Sequence, residues 1–254
     1  MIYKLEETEC AEQLFCGWNE TLIWSCTQKV MGEIYADDRE KPESAVAVLG
    51  DFRFLGGVPK KEVALYEPEG VSRKFQIIVP RNQAWEKLVE EVFGDKAVRI
   101  TRYATKKEPG IFDTEKLETV VESLKAGDSL RMIDEALYHR CREQKWSRDL
   151  VSQYESYEKY RELGIGAVVL RDGVLAAGAS SYSSYRGGIE IEIDTKEEYR
   201  RQGLAYACGA KLILECIGRG LYPSWDAHNL RSLALAEKLG YHFDNEYVAY
   251  EAVD

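Results

Sequence analysis

The chain alternates between two hydrophobic periods, and the sharpest examples lie in its second half. From Ile189 to Asp194, isoleucine at every other position alternates with Glu190, Glu192 and Asp194, the pattern of a strand with one apolar and one acidic face. From Leu204 to Gly218, and again from Leu230 to Leu239, apolar residues recur at helical spacing. Asn229 precedes the second of these helices as an N-cap, and Gly240 follows it as the residue that ends it. Two more apolar runs, Ile165 to Leu170 and Val174 to Tyr182, flank Asp172-Gly173, which predicts a tight hairpin. A strand from Ser129 to Ile133 precedes them, followed by a helical stretch from Asp134 to Leu163 that breaks near Trp146 to Arg148. A strand from Leu221 to Asp226 and strand structure from Tyr241 to Glu251 complete this half.

The first half is less regular. Cys10, Leu14, Trp18, Leu22, Cys26 and Val30 follow a helical repeat that Gly17 and Asn19 interrupt. Strand-like runs come at Ser44 to Val48, Val63 to Tyr66, Phe75 to Val79 and Ala97 to Tyr103. Asn82 predicts the cap of a helix reaching Phe93, and Asp113 the cap of one that carries Leu117, Val120 and Leu124 on a single face. The fold class is therefore α/β (α+β). Ala126-Gly127-Asp128 divides a smaller α/β module, residues 1–125, from a second domain, residues 126–254.

Composition narrows the partners. With 44 acidic against 34 basic residues, a net charge of −10, the chain lacks the basic stripe that a nucleic acid needs; the surplus is compatible with a cationic substrate, though surplus acid more often only keeps a protein soluble. Cys10, Cys16, Cys26, Cys141, Cys208 and Cys216 form no Cys-x-x-Cys pair and no Cys/His cluster, so no metal site is expected. No apolar run is long enough to span a membrane, and the acidic N-terminus is unlike a secretory leader. These features place the protein in a reducing compartment, the cytoplasm.

The candidate chemistry begins at Tyr199-Arg200-Arg201-Gln202-Gly203-Leu204-Ala205, between the acidic strand and the Leu204 helix. A turn at a helix N-terminus presents unpaired N–H groups and the positive end of the helix dipole, and small residues at Gly203 and Ala205 let a phosphate come close. A second element, Asn229-Leu230-Arg231-Ser232 through Ala236, Lys238, Gly240 and Tyr241, follows after one helix and one strand. Together they resemble the GNAT superfamily of N-acetyltransferases: the first matches its acyl-CoA signature Q/R-x-x-G-x-G/A at Arg200, Gly203 and Ala205, the second its Asn-led helix. The resemblance carries specific motifs over the last half of the chain and extends loosely to the whole. It is to a subfamily with a divergent N-terminal half, one that includes proteins similar to an antibiotic self-resistance acetyltransferase.

The resemblance implies a mixed, mostly antiparallel sheet flanked by helices in the second domain, and acetyl-CoA as the cofactor. Arg200, Arg201, Gln202, Gly203, Leu204 and Ala205 would hold its pyrophosphate, with Asn229 and Ser232 beside the pantetheine arm. The strand backbone at Ile193 and Thr195 would contact the same arm, and a backbone N–H between Glu190 and Thr195 would polarise the thioester carbonyl. A carboxylate of that strand would deprotonate the acceptor, Glu192 first and Glu190 second. Where many members carry a tyrosine as general acid for the thiolate, this chain has Ala236. A thiol of pKa about 8.5 leaves readily unaided, and Tyr182, Ser232 and Tyr247 stand as substitutes without a choice among them. His228, next to Asn229, is a minor candidate; a lone histidine is more often structural.

Three functions compete. The first is acetyl transfer to a primary amine of a small molecule, by direct attack in a ternary complex. The second is a catalytically weak CoA-binding sensor or interaction module with the same fold, which Ala236 favours and the intact acidic strand disfavours. The third, acylation of a protein N-terminus or lysine, has no feature in its support. Residues 1–125 are left two uses, completing a substrate cleft or forming a homodimer interface.

Overall fold

The computed structural model describes residues 1–69 and 75–253; Asp254, the last residue of the second domain expected above, lies outside them. Its contacts divide the chain into two compact units, Met1–Arg102 with Glu246–Asp254, and Tyr103–Asn245.

The first unit contains β1 (Tyr3–Lys4), α1 (Glu12–Phe15), α2 (Thr21–Thr27), β2 (Glu33–Ala36), β3 (Ser44–Leu49), β4 (Phe52–Gly57), α3 (Lys61–Ala64), β5 (Gln76–Pro80), α4 (Gln83–Phe93) and the start of β6 (Ala97–Thr105). β1 to β4 pair antiparallel in sequence order, and β5 joins β4 in parallel. The helix after β5 begins at Asn82 as expected, its side chain accepting from the N–H groups of Ala84 and Trp85 at 3.0 and 3.1 Å. That cap seats Trp85 in the core with Val46, Leu55, Ile78 and Val89, and its indole N–H donates to the Gly57 carbonyl at 2.9 Å.

The second unit holds α5 (Thr114–Glu122), β7 (Asp128–Met132), α6 (Glu135–Glu143), α7 (Tyr157–Leu163), β8 (Gly166–Arg171), β9 (Val174–Tyr185), β10 (Gly188–Thr195), α8 (Leu204–Gly218), β11 (Tyr222–Ser224), β12 (Asp226–Ala227), α9 (Leu230–Leu239) and the start of β13 (Phe243–Ala252). Its main sheet runs β11-β10-β9-β8-β7, antiparallel except where β11 joins β10 in parallel. Leu204, Cys208, Leu212, Ile213 and Cys216 of α8 share one core with Ile189 and Ile191 of β10, Leu117 of α5, and Ala236 and Leu239 of α9. Each large aliphatic side chain buried there contributes roughly 1.5–3 kcal/mol. Gly209 lets α9 approach α8: a Cβ at this position would meet Leu239 Cδ1 at 2.7 Å and Ile193 Cδ1 at 3.2 Å. Among the described residues no helix is long and apolar enough to cross a membrane, and no group of three His, Cys, Asp or Glu is placed to hold a metal ion.

The mixed α/β class, with helices flanking mixed sheets, is as the sequence predicts. Several elements differ. Val63 to Tyr66 is no strand: Val63 and Ala64 end the short helix α3, whose N–H groups bond back to Lys60. A four-residue apolar run is too short to reveal its own period. The helical stretch from Asp134 to Leu163 breaks into two helices, α6 and α7, as expected, but the break is wider than Trp146 to Arg148: α6 ends at Glu143, the connection buries Leu150, Val151 and Tyr154, and Ser156 caps α7. The single strand expected from Leu221 to Asp226 is two, β11 and β12, divided at Trp225.

Candidate active site

The site is assembled on β10. Its register with β9 shifts between Glu190↔Ser183 and Ile191↔Ser181, leaving Tyr182 as the extra residue of a bulge, and pairing then continues from Glu192↔Ser180 to Thr195↔Ala177. On the opposite side β10 pairs with β11 only from Gly188↔Tyr222 to Glu190↔Ser224. The chain then turns at Trp225, and Asp226 and Ala227 pair with Ala104 and Tyr103 of β6. The two strands therefore part after Glu190, while β10 runs on to Thr195. A fork opens between them.

The three carboxylates of β10 have different surroundings. Glu190 is 6% exposed, and its Oε1 accepts from the Asp226 N–H at 2.6 Å. Glu192 is half-buried. Asp194 is half-buried too, and its Oδ1 accepts from the Thr195 N–H at 2.6 Å. Burial pushes the Asp194 carboxyl pKa up, against the opposing pull of that bond and of the Arg200 and Arg231 charges. The side chain of Ile193 is half-buried and packs against the core.

Past Thr195 the chain makes one tight turn, and Arg200 Nε donates back to the Thr195 carbonyl at 3.2 Å, tying the turn to the strand end. Arg201 and Gly203 are both left-handed, with φ of +61° and +82°. Gly203 is the N-cap of α8, and no side chain caps it. Its carbonyl first accepts from Ala207 at 3.1 Å, so the N–H groups of Leu204, Ala205 and Tyr206 precede the helical ladder. A Cβ on Gly203 would meet nothing within 4 Å, so the space beside this glycine is open. The Leu204 side chain is core, Ala205 is half-buried, and Arg200, Arg201 and Gln202 are exposed around the opening. These are the parts of an anion cradle, and a pyrophosphate fits them.

α9 brings the second element. Asn229 Oδ1 accepts from the Ser232 N–H at 3.0 Å, the expected cap, and both residues are half-buried. The Arg231 charge beside them is among those that oppose the rise of the Asp194 carboxyl pKa. Ala236 is fully buried in the core. Of the substitutes for a general acid, Tyr182 is nearly buried on the β9 bulge, Ser232 is half-buried on α9, and Tyr247 lies in the first unit, its hydroxyl accepting from Arg102 at 3.3 Å. His228 is exposed before α9; His242 pairs with Glu108 at 2.7 Å.

Sequence reasoning missed Arg171 and Asp128. Arg171 donates to Gln202 of the turn and is itself held by Asp128. They face each other through the β7–β8 register, Asp128↔Arg171, a long-range pairing with no local trace. It also missed Thr105 and Asp226, at the fork.

Comparison with known proteins gives the family and the fold. The family model of the GNAT acetyltransferases matches residues 12–250. The N-acetyltransferase YdfB of Bacillus subtilis (strain 168), itself uncharacterized, is 27% identical over 241 residues, covering 91% of this chain and 89% of its own. A GCN5-related N-acetyltransferase-like protein from Streptococcus suis 89/1591 superposes with a TM-score of 0.92 at 50% identity, over 97% of this chain and 98% of its own. A GNAT-family acetyltransferase from Colwellia psychrerythraea shares the fold at a TM-score of 0.53 and 11% identity, with 100% of both chains covered. The chain belongs to the GNAT acetyltransferase family, whose members use acetyl-CoA as acyl donor.

Proposed function

We propose that the protein transfers an acetyl group from acetyl-CoA to a primary amine of a small molecule, by direct attack in a ternary complex. One observation carries the reading: the acidic face of β10 leads directly into an uncapped, open helix N-terminus, and Arg200 ties the two together at the Thr195 carbonyl. A proton acceptor and an anion cradle on one continuous stretch of chain are what this reaction needs.

Acetyl-CoA supplies the activated acetyl carbon. The N–H groups from Arg201 to Ala205 hold the pyrophosphate, with Arg200 and Arg201 adding charge, and Asn229 and Ser232 flank the pantetheine arm together with the β10 backbone at Ile193 and Thr195. A β10 carboxylate, Glu192 in first place and Glu190 in second, takes the proton of the ammonium form, which frees the nitrogen lone pair for attack. A backbone N–H of β10 donates to the oxygen on which negative charge builds. All of these residues lie in Tyr103–Asn245. The six thiols are unpaired, in keeping with a reducing, cytoplasmic setting.

Ala236 favours one alternative, a catalytically weak CoA-binding sensor, since its place in α9 offers no phenol to the leaving thiolate. Calorimetry with CoA and thiol release with a panel of polyamines, aminoglycosides and amino acids separate the readings. Binding with turnover supports the enzyme, binding without turnover the sensor, and no binding removes both.

A further inference from the structure

We infer that Glu190 is a positioning residue: with Thr105 it brackets the peptide group between Trp225 and Asp226 and so fixes the fork between β10 and β11. The functional part of this inference rests on the acetyl-transfer reading above.

The peptide lies where the chain leaves β11, paired with β10, and enters β12, paired with β6. No cis bond occurs among the described residues, so its C=O and N–H point in opposite directions. Thr105 Oγ1 donates to the Trp225 carbonyl at 2.6 Å, and Glu190 Oε1 accepts from the Asp226 N–H at 2.6 Å. One side chain comes from each strand that the peptide passes between, Thr105 from β6 and Glu190 from β10. Thr105, Glu190 and Trp225 are all buried, and a buried backbone group must find a partner. At this strand switch two side chains supply partners to the peptide's carbonyl and N–H. The residues just before are held in the same manner: the Tyr241 hydroxyl donates to the Pro223 carbonyl at 2.5 Å, and the Tyr185 and Ser224 hydroxyls meet at 2.9 Å.

The consequence concerns the division of labour on β10. Past the bracket the chain runs through Asp226 and Ala227 to Asn229, the cap of α9, while β10 runs on through Glu192 to Thr195. Fixing one peptide therefore fixes the separation of the two arms that face the reacting groups. Glu190 is buried and its Oε1 is committed to the Asp226 N–H, and we assign it the positioning role and proton removal to Glu192.

Four variants test this: Glu190→Ala, Glu190→Gln, Thr105→Val and Thr105→Ser. Gln keeps an acceptor oxygen and Ser keeps the hydroxyl. Amide exchange at Asp226 needs no activity: it should quicken roughly tenfold or more in Glu190→Ala and stay closer to wild type in Glu190→Gln. In thiol-release assays kcat should fall roughly tenfold in Glu190→Ala and Thr105→Val, the scale of one lost buried hydrogen bond, with KM for acetyl-CoA changing less. Glu190→Gln and Thr105→Ser should each recover most of that loss, with the pH–rate profile of wild type. If Glu190→Gln is as slow as Glu190→Ala and its pH profile shifts, Glu190 is the base and the inference fails. Unchanged exchange in Glu190→Ala overturns it as well; if that variant does not fold, the Thr105 pair decides, and equal rates in Val and Ser overturn it. A wild type that releases no thiol with any amine defeats the acetyl-transfer reading, while the exchange result still judges the bracket.

Discussion

Arg171 grips Asp128 with two parallel bonds, Nε to Oδ1 at 2.7 Å and Nη2 to Oδ2 at 2.8 Å, and gives its remaining nitrogen to Gln202 in the turn before α8. The pair spans β7 and β8, and the Tyr199 ring lies under the guanidinium at 5.5 Å. The β7–β8 pair thus holds Gln202 in the turn before α8, the turn proposed to receive the pyrophosphate. The Arg171 hydrogen bond keeps the Asp128 carboxyl below its ordinary pKa, against the opposing effect of burial.

Asp128→Asn should therefore lower stability at pH 7 by about 1–3 kcal/mol, the scale of a lost charged hydrogen bond. A carboxyl whose folded pKa lies below its unfolded value stabilises fully above that unfolded value and loses the contribution as the pH falls through the folded one. The gap between wild type and variant should close on acidification below about pH 4. Urea denaturation of both proteins across that range checks it, and a gap that widens toward acid would contradict the direction.

Gly203→Val should abolish tight CoA binding. The backbone there is left-handed, φ +82°, which costs a β-branched residue roughly 1–2 kcal/mol, and the new side chain would enter the open space above the helix N-terminus. Calorimetry should show affinity for CoA at least tenfold weaker, and equal affinity would move the pyrophosphate elsewhere.

Ala236→Tyr should destabilise the fold rather than add a general acid. Ala236 has no exposed surface and packs in the core with Leu239 and Tyr241, so a phenol there overfills it at a cost of about 1–3 kcal/mol. Denaturant melts should show the loss, and thiol release should not rise. A stable variant with faster release would mean that the position opens to the site after all.

Much of this was legible in the sequence because it is local. The α8 and α9 boundaries, the caps Asn82, Asp113 and Asn229, the acidic face of β10 and the Arg200–Ala205 turn all follow from spacing over a few residues. The fork was not, because Leu221 to Asp226 reads as one strand, and the partners that divide it are distant: Glu190 on β10, and Thr105 and Ala104 on β6. The different surroundings of Glu190 and Glu192 were hidden for the same reason. Alternation gives both the same face, and only the strand switch at Trp225 gives Glu190 a backbone donor.

On the proposed reading this chain moves an acetyl group to an amine with Glu192 as base. The most direct measurement is thiol release from acetyl-CoA by wild type and Glu192→Gln, with the best amine of the panel, from pH 6 to 10. Wild type should turn over, and the variant should be slower by ~10²–10⁴-fold near neutral pH. The deficit should shrink toward pH 10, where the amine loses its proton unaided, with CoA affinity little changed. Equal rates at neutral pH, or a deficit that persists undiminished at pH 10, would contradict the account.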